Sequence, residues 1–142
     1  MGMLDKLFGG GQEYPPLPTD NPAMKELDDL HEELEALSRR VREKLVIVPD
    51  QHAAYVFMGK PPKHFGVAWI HDGRVSSLKD LAEENNLSPA MIDNLVDELR
   101  EAYTHASEAP RYTTHIGRKD VVVIPSDSLK DEVHQIFEET IH

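Results

Sequence analysis

The stretch that most constrains this chain is residues 78–101, LKDLAEENNLSPAMIDNLVDELRE, which reads as two helices around a tight turn. Leu78, Leu81, Ala82, Leu87, Ile92, Leu95, Val96 and Leu99 keep helical spacing on either side of Asn85-Asn86, and the spacing breaks there. Ser77 is placed to cap the first helix, with Asp80 as the acidic partner of a capping box. Ser88 is placed to cap the second. Pro89 follows at the first helical position, where its missing N–H costs nothing.

This pattern resembles the helix-turn-helix of winged-helix and related proteins. Leu81-Ala82 matches the family's apolar-then-small pair, and Leu87, Ile92 and Leu95 match its core positions in the turn and second helix. Asn86 stands where the family usually carries Gly, and Asn tolerates the left-handed backbone nearly as well. A DNA-reading member sets the outward residues of its second helix into the major groove. Here those are Ser88, Pro89, Ala90, Asp93, Asn94 and Asp97, with no Arg or Lys among them. Phosphate neutralisation needs cations, so two aspartates on that face argue against a polyanion, and Asn94 alone does not offset them. The motif speaks to fold more than to function.

The remaining chain suits one domain with an appended segment, since 142 residues are enough for one respectable core. A net charge of −11 disfavours general nucleic-acid and anionic-membrane binding. The absence of Cys removes disulfides, thiolate metal sites and Cys nucleophiles, and suits the cytoplasm. No apolar run reaches transmembrane length, and no signal peptide is visible.

Residues 1–20 read as a flexible leader and proline-rich linker. Residues 1–8, MGMLDKLF, form a small amphipathic piece that either stays disordered, docks on a partner groove or touches a membrane weakly. Lys6 breaks the myristoylation pattern, and the triple glycine at 9–11 has no P-loop Lys after it. The run QEYPPLPTD at 12–20 reads as a semi-rigid spacer.

Residues 21–44 read as one long helix, capped by Asn21 with Pro22 at N1. Leu27, Leu30, Leu34, Leu37 and Val41 repeat at three- and four-residue steps, as along a coiled-coil seam. The acidic start and basic end suit the helix dipole and would orient an antiparallel pair. The seam is expected to form a homodimer interface, the alternative being that it packs on its own domain. A dimer seam predicts that Leu30→Asp with Leu37→Asp gives a folded monomer in sedimentation.

Residues 45–142 are expected to form a winged-helix-like α+β domain. A β-branched run at 45–48 stops at Pro49-Asp50, and strands are favoured at Tyr55-Val56-Phe57-Met58 and at 65–70. Asp72-Gly73 signals a tight hairpin. After the helix pair, alternation at 111–116, a turn at Gly117-Arg118-Lys119-Asp120 and a strand at 121–124 follow winged-helix order, with the turn as wing tip. Ser128 and Asp131 propose a capping box for a last helix with the stripe Leu129, Val133, Ile136, Phe137 and Ile141. The expected fold is therefore α+β: a long N-terminal helix, then a winged-helix-like domain with a small antiparallel sheet and a C-terminal helix.

Candidate chemistry is sparse. The eight histidines show no i, i+4 metal pair and no HExxH, and no GxSxG is present, so neither a catalytic residue nor a metal or other cofactor is expected. Asp50, His52 and Asp72 fall in loops without a signature that joins them. Two cationic patches stand out: Arg39, Arg40, Arg42 and Lys44, and the turns bearing Lys60, Lys63, Arg118 and Lys119. If those turns meet, they make a local positive face for an acidic protein or a phosphate backbone. The expected function is a non-enzymatic interaction or adaptor module, a homodimer that meets an unidentified protein through Asp93, Asn94, Asp97, Arg118, Lys119, Lys60 and Lys63. The alternative is a winged-helix transcription regulator that grips DNA through its wing and loop cations.

Overall fold

The computed structural model describes residues 14–141. The amphipathic opening at 1–8, the glycines after it and His142 lie outside the described residues. Helices α1 (Pro22–Asp29) and α2 (His31–Arg40) precede the strands β1 (Leu45–Asp50), β2 (Ala53–Lys60), β3 (His64–His71) and β4 (Arg74–Ser77). Helices α3 (Leu78–Asn85) and α4 (Pro89–His105) lead to β5 (Tyr112–Ile116), β6 (Lys119–Val123) and α5 (Asp127–Ile141). All six strands join one sheet in the order β4-β3-β2-β1-β6-β5. Strands β1 to β4 form an antiparallel meander, β6 lies parallel to β1, and β5 returns antiparallel on the outside.

Local chemistry accounts for the hairpins. Asp72 and Gly73 both have positive φ, at 51° and 72°, the backbone that a two-residue turn needs to match the twist of its strands. Gly117, at φ 62°, opens the turn between β5 and β6. Strand β1 runs through Pro49 instead of stopping at it. The Ile124 amide donates to Ile47 O, so two residues on Pro49 turns its missing N–H to the same side, just past the end of β6.

The sheet is covered on both faces. On one, Leu45, Ile47, Ala54, Val56, Ala68, Ile70, Val121 and Val123 meet the leucines of α1 and α2. On the other, Val46, Val48, Tyr55, Phe57, Val67 and Val122 meet Leu95, Leu99 and Ala102 of α4 and Leu129, Val133, Ile136 and Phe137 of α5. Burial on both faces explains why β1 opens as an unbroken apolar run, LVIV, with no alternation.

This architecture overturns the expectation of a long helix followed by a winged-helix-like domain with a small sheet. The helix predicted over 21–44 is two helices, broken at Leu30 (φ −107°, ψ 19°) and finished at Arg40, with Val41 already extended. A straight helix over that span would run roughly 36 Å, well past the roughly 20 Å of β1 beneath it. The supposed dimer seam is spent inside the chain: Leu34 is fully buried, Leu27, Leu30 and Leu37 are at most 5 % exposed, and Val41 packs half-buried on the same cluster. The proline-rich stretch is docked as well. Leu17 donates its amide to Thr113 O and Thr113 donates to Pro15 O, each at 2.9 Å, which lays residues 15–17 along β5 with Leu17 buried.

The helix pair itself is built as its caps require. Ser77 and Asp80 bond reciprocally, Asn86 takes the left-handed conformation (φ 55°), and Ser88 Oγ accepts from the Met91 amide. The Ser77 backbone and hydroxyl donors hold the Asp80 carboxyl below its ordinary value. The last helix is capped two residues earlier than predicted: Ser126 Oγ, not Ser128, accepts from the Leu129 amide.

With the seam in the core, Leu34→Ala should cost about 2–5 kcal/mol in urea unfolding. Leu30→Asp with Leu37→Asp should abolish cooperative unfolding. A double variant that kept the parent's denaturation curve and sedimented as a smaller species would restore the dimer seam.

Candidate functional site: a basic end on an acidic chain

Topology sorts the charges. Because β1, β2 and β3 are antiparallel and β6 is parallel to β1, one end of the sheet collects the starts of β1, β3 and β6 and the close of β2. Arg42 and Lys44 lead into β1, Lys60 closes β2, Lys63 stands in the turn to β3, Arg118 and Lys119 open β6, and α2 ends on Arg39 and Arg40. Eight of the chain's 15 Lys and Arg residues thus gather at one end of a molecule whose net charge is −11. Strands β2 and β6 flank β1, so Lys60 and Lys119 start roughly 10 Å apart across the sheet.

A cleft of about 560 Å³ opens at this end, between β1 and β2 on one side and the end of α4 on the other. Val46 and Val122 line it from the sheet, and Lys44, Lys60 and Arg111 bring its charge. No carboxylate is among the described residues that line it. Among the described residues, neither Lys44 nor Lys60 has an ion-pair or hydrogen-bond partner for its ammonium group. Arg111 is fixed from behind: its Nη1 donates to Ala106 O (3.1 Å) and Ala109 O (3.0 Å). Its guanidinium lies 5.3 Å from the centre of the Tyr103 ring, which in turn packs on Phe57. The docked N-terminal strip brings Tyr14 to the rim, held by Thr113 Oγ1, which donates to Tyr14 O.

A second hollow, of about 410 Å³, is lined by Glu35, Ser38, Arg39, Gly117, Arg118 and Lys119. Here the charge is partly spent. Arg39 lies 3.9 Å from Glu35, and Lys119 Nζ donates to Val41 O, bracing the link into β1. Lys119, expected to meet a partner, thus also ties β6 to the link before β1.

The other expected contacts divide. Lys60, Lys63 and Arg118 share the basic end. Asp93, Asn94 and Asp97 are exposed on the outward face of α4, and Asp97 pairs with Arg100 at 2.6 Å. Arg100 also donates through Nε to Pro62 O at 2.7 Å and lies over Phe65, so it ties α4 to the turn before β3. Asp93 stands roughly 10 Å up the helix from Arg100, away from the cations. Arg111, Tyr103, Ser107 and Tyr14 carried no sequence signal, because they fall at a helix end, in a polar loop and in a proline-rich stretch that only tertiary packing joins.

Several histidines make local contacts. His71 stacks on Trp69 at 3.8 Å, and His105 and His115 pair with Glu132 and Asp120. No group of three His, Cys, Asp or Glu fit to hold a metal occurs among the described residues. Tyr55 Oη is 2.7 Å from His134 Nδ1, whose Nε2 lies 3.7 Å from Glu138, and this chain locks β2 to α5. Burial pushes the Tyr55 hydroxyl well above its ordinary value, and the carboxylates of Asp50, Glu138 and Asp131 push the same way. No helix among the described residues is long and apolar enough to cross a membrane.

Comparison with protein families, curated proteins and solved structures finds no match to this chain.

The raised Tyr55 value has a defined sign. Its contribution is complete below about pH 10, the ordinary tyrosine value, and is lost as pH climbs from there through the higher folded-state value, because the unfolded chain ionises first. Tyr55→Phe should cost about 1 kcal/mol at pH 7 and flatten the alkaline fall of stability, read by urea unfolding between neutral and strongly alkaline pH. Parallel alkaline limbs in the two proteins would refute this.

Proposed function

We propose that this chain is a non-enzymatic interaction module that docks an acidic stretch of a partner protein on the basic end of its sheet. The observation that carries this reading is the pair of unneutralised lysines, Lys44 and Lys60, opening onto a cleft with no lining carboxylate among the described residues. In a chain with 26 acidic residues against 15 basic ones, each exposed cation has ample opportunity for a local partner, and these two have none among the described residues. Facing cations raise the free energy of the unbound site, and an anionic ligand relieves that strain while steering its own approach.

The net charge of −11 favours a discrete acidic segment over a nucleic-acid duplex, whose long run of phosphates would be repelled by the rest of the chain.

A fluorescein-labelled polyglutamate peptide read by anisotropy tests this. Affinity should fall as salt rises, and Lys44→Glu with Lys60→Glu should weaken it by about tenfold or more. Equal binding by parent and variant would overturn the proposal. So would lysine-dependent binding of a short DNA duplex that outcompetes the peptide.

A further inference from the structure

We infer that the cleft between β2 and the end of α4 is a phosphoryl site, and that the acidic stretch it receives carries a phosphorylated side chain. This rests on the docking reading above and names the group that is read.

The first argument is donor chemistry. Lys and Arg donate and never accept, and the cleft presents Lys44, Lys60 and Arg111, with Ser107 also lining it. All the hydrogen bonds of Arg111 leave from Nη1, so its Nε and Nη2 have no partner among the described residues. A glutamate offers one charge and two oxygens to this set. A phosphomonoester brings roughly −1.5 to −2 charges and three acceptor oxygens, and so matches three cations far better.

The second argument is preorganisation. The carbonyls of Ala106 and Ala109 and the face of Tyr103 hold the Arg111 guanidinium before any ligand arrives. Little of its rotamer freedom is left to lose on binding, which favours a planar fork meeting a multi-oxygen anion.

The third argument separates a phosphorylated segment from a free nucleotide. Tyr103, an aromatic ring on the cleft wall, is already covered by Arg111 and packed on Phe57, so a base stacking there would have to displace one of them. Beyond the cleft, Arg42 and Lys63 are exposed at the same end of the sheet. A mononucleotide would leave that rim unused, whereas acidic residues flanking a phosphorylated one would reach it.

Two fluorescein-labelled peptide pools test the inference. Both are randomised over Asp, Glu, Gly and Leu around a fixed centre, which is phosphoserine in one pool and serine in the other. The full chain should bind the phosphorylated pool about tenfold tighter at low salt, and Lys44→Gln with Lys60→Gln should erase that ratio. Arg118→Glu, outside the cleft, should weaken both pools alike and leave the ratio standing. Circular dichroism of these surface variants should match the parent. Equal affinity for both pools would overturn the phosphoryl inference and leave acidic docking intact. Failure to bind either pool or polyglutamate would remove both readings. Adenosine monophosphate binding as tightly as the phosphorylated pool would overturn the partner assignment in favour of a small phosphorylated molecule.

Discussion

Everything in this fold hangs on the pairing of β1 with neighbours from two distant parts of the chain. On one side it zips against β2 through a two-residue turn, residue for residue from Leu45↔Met58 to Asp50↔Ala53. On the other it accepts β6 in parallel, Val46 beside Val122 and Ile47 beside Val123. The second pairing brings together segments separated by six other elements, so its loop-closure entropy must be offset by burial. The offset is visible: Leu45, Ile47 and Val48 are fully buried between the two helical layers. Without β6 in that place the β5–β6 hairpin would be a marginal two-stranded ribbon, and α5 would lose part of its floor.

The same pairing gives the molecule an electrical axis. The starts of β1 and β6 lie at the end that carries the cleft cations. Their finishes lie at the end that carries Asp50, Asp127 and Asp131, which share Lys130 at 3.9, 3.6 and 3.7 Å. Burial, and then the neighbouring Asp50, raises the Glu26 carboxyl at that acidic end. A chain sorted in this way presents different signs to different approach directions, so an anionic ligand is oriented before contact.

What was legible in the sequence was local. The capping box at Ser77, the Ser88 and Pro89 start, left-handed Asn86 and the Asp72-Gly73 hairpin all follow from a few adjacent residues, and the structure contains each. What was not legible was destination. The spacing of Leu27, Leu30, Leu34 and Leu37 states that one helical face is apolar, yet a partner helix and a sheet make the same demand on it. Pro49 looked like a strand breaker because its harmlessness depends on where β6 ends. The cleft was hidden for the same reason: Lys44, Lys60 and Arg111 are far apart in the chain, and only the sheet order makes them neighbours.

The strip of residues 15–17 along β5 settles a different problem for a sheet of this size. An open outer strand is a template for unrelated chains, and β5 would otherwise present one. Pro16 and Pro18, which alternate to the outer side of the strip, carry no amide hydrogen, so a strand that tried to add beyond it would find donors missing where it needs them. At the far margin β4 is only four residues long before it turns into α3. Growth of the sheet into a fibre is thereby discouraged from both sides, and the margin that does so also sets Tyr14 at the rim of the cleft.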